Sequence, residues 1–167
     1  MLTAISTFFI LNNMIIEKVN RSNIHLAAHI HRESWKESHK AFVSAQAVAK
    51  RTVERQTAYL FQQIDSGRDV YMLTDDIPVG IVSVCENLIE NLYILPERQR
   101  CGYGSRLLDF AVEKCIGNPV LTVLSNNTAI EMYRKYGFKE TGKTIPLNPT
   151  LWEIEMILER KNENNGS

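Results

Sequence analysis

Gln99-Arg100-Cys101-Gly102-Tyr103-Gly104 separates two stretches of different periodicity. Ahead of it, Leu92-Tyr93-Ile94-Leu95-Pro96 reads as an apolar strand stopped by proline; behind it, Arg106-Leu107-Leu108-Asp109-Phe110-Ala111-Val112 has helical spacing. A glycine-rich turn from strand to helix leaves backbone N–H groups unpaired, all pointing one way at the positive end of the helix dipole. Such a turn seats a phosphate or pyrophosphate, and glycines let the anion approach the backbone. Arg98, Arg100 and Arg106 crowd the same turn with positive charge.

Three glycine patterns compete for this segment. The P-loop requires Lys-Ser or Lys-Thr after its glycines, and none follows here. The dinucleotide fingerprint requires a third glycine where Leu107 stands, and belongs after the first strand rather than past mid-chain. The pattern [QR]-x-x-G-x-[GA] fits at Gln99, Gly102 and Gly104.

Downstream, Val120-Leu121-Thr122-Val123-Leu124 reads as an apolar run suited to a central strand buried on both faces. Asn126-Asn127-Thr128-Ala129-Ile130-Glu131-Met132-Tyr133-Arg134-Lys135-Tyr136-Gly137-Phe138 follows. Ser125 or Asn126 caps a helix, Ala129 and Tyr133 share a face of it, and Gly137 ends it. The two segments, in this order and each at a strand–helix junction, resemble the two signatures of the GNAT acetyltransferase superfamily. The resemblance covers residues 68–158, and more loosely the chain from Met14.

Length and composition suit this reading. A chain of 167 residues, 44% hydrophobic and 23% charged, accommodates one soluble domain. Lys plus Arg and Asp plus Glu are equal at 19 each, so nothing calls for a nucleic-acid partner. Residues 1–13 form an apolar extension, too short for a membrane helix and lacking the basic start of a secretory signal; residues 14–159 are expected to be the single domain. Residues 160–167 are expected to be a polar, flexible tail. Cys85, Cys101 and Cys115 lack metal-ligand spacing, which fits a reducing cytoplasm. Cys101, beside a helix start, reads as a redox-sensitive thiol or as a small loop filler. His25 and His29 are four apart but have no third ligand, so no metal is expected, and the pair reads as solvated helix residues.

The expected element order is β-α-α-β-β-β-α-β-α-β-β. Strands are expected at 14–19, 69–73, 78–84, 88–95, 120–124, 138–143 and 151–158. Helices are expected at 22–33, 45–64, 104–116 and 127–136, with Ser34 to Lys40 irregular. On the last strand Trp152, Ile154, Met156 and Leu158 alternate to one face. The fold class is α/β (α+β): a mixed, mostly antiparallel sheet of about seven strands, with a βαβ core flanked by helices. The resemblance implies in addition that two parallel central strands splay apart to admit the cofactor arm.

The resemblance also implies a function: transfer of an acetyl group from acetyl-CoA to a primary amine by direct attack in a ternary complex. Leu92, Tyr93 and Ile94 would lend backbone groups to the pantetheine and acetyl carbonyl. Gln99, Arg100, Cys101, Gly102, Tyr103, Gly104 and Ser105 would form the pyrophosphate loop, with Asn126 and Ala129 beside the pantetheine. Tyr133, on residues alone a core aromatic, would be the general acid. Strand alternation puts Glu90 on the side of Leu92 and Ile94; it reads as the base or as a solvated edge charge, with Glu86 in reserve. Trp35 and His39 fall where the superfamily covers its acceptor site, although Trp35 also reads as a core plug. The acceptor is a small-molecule or protein amine, membranes are not expected as partners, and a homodimer is compatible with the resemblance. A CoA-binding sensor, or an enzyme with another acyl donor, are the alternatives.

Overall fold

A computed structural model describes residues 14–160, so the 1–13 extension and all but the first residue of the 160–167 tail lie outside the described residues. The strands are β1 (Ile15–Lys18), β2 (Asp69–Thr74), β3 (Pro78–Cys85), β4 (Leu88–Ile94), β5 (Val120–Leu124), β6 (Lys139–Asn148) and β7 (Leu151–Ile157). The helices are α1 (Ile24–His39), α2 (Ala45–Ala49), α3 (Val53–Asp65), α4 (Tyr103–Lys114) and α5 (Ala129–Tyr136). The seven strands form one sheet in the order β1-β2-β3-β4-β5-β7-β6. All neighbours are antiparallel except β4 and β5. Among the described residues no helix is long and apolar enough to cross a membrane.

Two helical expectations need correction. Residues 34–40 are not irregular: α1 continues through Trp35 to His39. No proline or glycine interrupts the segment, and its buried face runs Ile24, Ala27, Ala28, His31, Ser34 at helical spacing. The stripe is hidden because its last members are polar. Ser34 Oγ donates to Ile94 O at 3.0 Å, which makes a hydroxyl acceptable there. The second helical region is two helices, α2 and α3, each with its own cap. Ser44 Oγ accepts from Ala47 N and Thr52 Oγ1 from Arg55 N.

Each face of the sheet buries its own core. On one face α4 and α5 lay Leu107, Leu108, Ala111 and Tyr133 against Val79, Val82, Ile94 and Met156. On the other, α1 and α3 lay Ala27, Ile30 and Leu60 against Val70, Met72 and Ile81. The approach of α4 is close: a Cβ on Gly80 would meet Ile94 Cδ1 at 2.5 Å and Leu107 Cδ1 at 2.8 Å. Ile154 and Met156 of β7, and Leu158 just after it, join the α4 core as alternation predicts, while Trp152 lies exposed.

Two irregularities shape the middle of the sheet. First, β4 and β5 pair only at Leu88↔Val120 and Ile89↔Leu121, and then part. Second, β4 bulges: Ser83 faces Glu90 and Ile81 faces Tyr93, so Asn91 and Leu92 together oppose Val82. Asn91 takes a left-handed φ of 51° to do so. The extra residue reverses the alternation. Glu90 therefore shares the face of Tyr93 and Ser83, not that of Ile94, and the expectation that placed it with Leu92 and Ile94 is corrected. The burial expected on both faces of β5 fails for a related reason. Thr122 is exposed, because no helix covers that face where the two strands diverge.

Candidate active site

The turn into α4 is a backbone device. Arg100 and Gly102 both take left-handed conformations, φ 63° and 85°, and Gly102 caps the helix without any side-chain bond. Among the described residues, the N–H groups of residues 101–105 donate to no protein acceptor. A Cβ on Gly102 would meet nothing within 4 Å, so the space above these amides is open. The side chains around the loop mostly look elsewhere. Gln99 Nε2 donates to Ile94 O at 3.2 Å and braces the turn against β4. Tyr103 is buried, its hydroxyl on Asp75 Oδ2 at 2.7 Å. Cys101 is exposed and, like Cys85 and Cys115, free. Ser105, Arg100 and Arg106 are exposed, whereas Arg98 reaches Asp76 at 3.4 Å. Free amides at a helix start with two unengaged guanidinium groups beside them suit a diphosphate.

Where β4 and β5 part, a cavity of about 240 Å³ opens. Its walls are residues 89–93 of β4 and 121–124 of β5, with Asn127, Tyr133 of α5, Glu153 of β7 and His39 of α1. Gly104 packs closely against α5 and β4: a Cβ there would lie 3.3 Å from Met132 Sδ and 3.9 Å from Ile94 Cγ1. The edge of β4 that faces the gap is a strand without a neighbour, able to pair with an extended arm.

Tyr133 is 6% exposed, and its hydroxyl has no hydrogen-bond partner among the described residues. Burial raises its pKa far above the ordinary tyrosine value, so the phenol stays protonated at neutral pH. Tyr93 is likewise pushed up to about 12 by burial. Ala129 packs half-buried against the same core as Tyr133. Asn127, not Ser125 or Asn126, caps the start of α5: its Oδ1 accepts from Ala129 N at 2.9 Å. Asn126 is exposed and lies off the cavity wall, whereas Asn127 is on it.

Glu90 is on the wall, but its Oε2 holds Arg68 Nε at 2.5 Å. Glu86 sits in the turn between β3 and β4, at the end where β4 is still paired with β5. Trp35 and His39 stack at 4.1 Å with rings 15° apart, and the Arg51 guanidinium lies over the Trp35 ring at 3.9 Å. His39 reaches the cavity wall; Trp35 does not.

The histidines do not behave alike. His25 and His29 are exposed, as expected of solvated residues, but His31 is 3% exposed between Tyr59 and Tyr93. Burial lowers its pKa from 6.5 to about 4. Among the described residues no group of three or more His, Cys, Asp or Glu could hold a metal ion.

Glu153 and Asn127 escaped the sequence reading. For Glu153 the signal was present: with Ile154 and Met156 facing the α4 core, the alternate residue must face the other way. Asn127 had no comparable signal, since it follows an asparagine that fits the motif equally well.

Residues 66–140 match the family model described as an acetyltransferase (GNAT) domain. The fold is similar to that of PaiA N-acetyltransferase from Thermoplasma acidophilum in complex with coenzyme A. That pair is 20% identical with a TM-score of 0.63, over 85% of this chain and 97% of that one. It is similar also to YncA from Salmonella typhimurium with its cofactor acetyl-CoA, at 19% identity and TM-score 0.63 over 93% and 99% of the two chains. An acetyltransferase of the GNAT family from Bacillus cereus gives 16% identity and TM-score 0.67 over 89% and 98%. No curated protein matches the chain in sequence.

Proposed function

This chain carries an acetyltransferase domain of the GNAT family and is an acyltransferase, and from that premise we propose that it moves an acetyl group from acetyl-CoA to a primary amine by direct attack in a ternary complex. One observation carries the reading. A cavity opens where β4 and β5 part, part of its wall is a buried tyrosine with no hydrogen-bond partner among the described residues, and the β4 strand that forms another wall leads on in the chain to a loop of five unengaged amides.

The parts divide the work by their chemistry. The amides of residues 101–105, with Arg100 and Arg106, would hold the diphosphate. The free edge of β4 at residues 91–94 would pair with the pantetheine arm as a strand pairs with its neighbour. The thioester arrives already activated, so the protein supplies position and proton traffic. Tyr133, kept protonated by burial, is the group suited to give a proton to the departing sulfur.

The test has two readings from one preparation. Calorimetric titration should show acetyl-CoA binding. A thiol-release assay over a polyamine, an aminoglycoside, free amino acids and peptides with free N-termini or lysines should then find an acceptor. Binding without thiol release from any amine supports a CoA sensor instead; no binding ends the acetyl-transfer reading altogether.

A further inference from the structure

Resting on the acetyl-transfer reading above, we propose that His39, at the C-terminal end of α1, is the base that takes a proton from the acceptor ammonium through its Nε2. The hydrogen bonds of the ring point to this atom. His39 Nδ1 lies 3.0 Å from Trp35 O and 2.7 Å from Ser38 Oγ, and Ser38 Oγ itself donates to Trp35 O at 3.1 Å. A carbonyl oxygen only accepts, so the contact with Trp35 O favours the neutral ring with its proton on Nδ1, the Ser38 hydroxyl proton then going to Trp35 O. The lone pair is then on Nε2, and this ring lies on the cavity wall that also holds Tyr133.

The ring is held in place and kept neutral. It is stacked on Trp35, and Phe42 lies at 5.1 Å on a tilted plane. Burial, and then the nearby Arg51 charge, keep its pKa below the ordinary value of 6.5, although the bond to Trp35 O works the other way. The imidazole is therefore neutral and able to accept at pH 7. The charged and titratable groups around it are Arg51 before α3, Glu90 and Tyr93 of β4, Tyr133 of α5 and Glu153 of β7. Glu90 is engaged with Arg68. Glu153 has no ion-pair partner among the described residues and supplies the negative charge that draws an ammonium into the cavity.

The protons balance. The acceptor enters as an ammonium and gives one proton to His39 Nε2. The freed nitrogen forms the bond to the acetyl carbon. The carbon–sulfur bond breaks with its electron pair left on sulfur, and Tyr133 protonates that sulfur. The extra proton on the acylated nitrogen returns to the Tyr133 oxygen, and the imidazolium releases its proton to water. Ammonium and acetyl-CoA become amide, CoA thiol and one proton.

Two measurements test this. Histidine labelled with ¹⁵N in the unmodified protein bound to coenzyme A should show His39 neutral at pH 7 with its proton on Nδ1. A charged ring or an Nε2–H ring at that pH overturns the assignment, whatever the acceptor. In the second, butylamine is the acceptor and kcat/KM is followed from about pH 5.5 to 9. The unmodified protein should lose activity on the acid side as His39 protonates, and His39→Asn should lower kcat about 100-fold and abolish that acid limb. Acetyl-CoA affinity should stay within about twofold, because the proposed holds on the cofactor are the amides of residues 101–105 and the β4 backbone, not the His39 side chain. An unchanged acid limb in His39→Asn removes His39 and leaves acetyl transfer standing. Loss of acetyl-CoA binding by the unmodified protein removes the parent reading instead.

Discussion

The two sides of the cleft are made by opposite means. On the α4 side the chemistry is main chain: left-handed Arg100 and Gly102, free amides at a helix start, and the unpaired edge of β4. On the α1 side it is side chain: His39 on Trp35, Arg51 over Trp35, and His31 sealed between two tyrosines. A main-chain seat suits a ligand that never changes, because it asks for glycines and little else. A side-chain wall can be altered residue by residue without disturbing the sheet, which suits a ligand whose identity varies. The family model matches residues 66–140, the main-chain side, and stops short of α1.

The largest effect is expected on the α1 side. His31 takes its proton at 6.5 when unfolded and near 4 when folded. The unfolded chain binds more protons between those values, so stability is full above pH 6.5 and falls as the pH drops. The loss should reach about 3 kcal/mol at about pH 4, at ~1.4 kcal/mol per pH unit. Urea midpoints taken across this range should show it, and His31→Phe should flatten the slope; an equally steep slope in that variant would mean carboxylates cause the acid sensitivity. Tyr133→Phe probes the point where the two sides meet. It should lower kcat about 100-fold and leave acetyl-CoA binding intact. Unchanged turnover would remove the phenol from the chemistry.

The main-chain side should answer in binding rather than in rate. Gly102→Val puts a side chain over the free amides and strains a left-handed residue by about 1–2 kcal/mol. Acetyl-CoA affinity should fall about tenfold or more by calorimetry, and equal affinity would disconnect the loop from the diphosphate. The smallest effect is expected at Glu90, where the half-exposed pair with Arg68 is worth at most about 1 kcal/mol. Glu90→Gln should keep turnover within about threefold, whereas a true base there would cost about 100-fold.

Legibility followed the same division. The glycine turn, the parallel crossover, β5 and the alternation of β7 could be read because each is a local pattern with a local cause. The bulge at Asn91 could not, because a left-handed asparagine leaves no glycine to mark it. Its omission put Glu90 on the wrong face. The length of α1 was hidden by His31 and Ser34, polar residues on a buried stripe, whose place is decided by Tyr59, Tyr93 and Ile94 far along the chain. Glu153 was implied by the parity of its own strand, but its meaning depended on β4 and β5 parting.

That parting reaches beyond the site. With only two rungs between Leu88–Ile89 and Val120–Leu121, the molecule is two half-sheets joined at one corner. An extended guest laid along β4 becomes the missing rung. Occupancy and rigidity would then be a single event, and an empty cleft would mean a sheet still waiting to be finished.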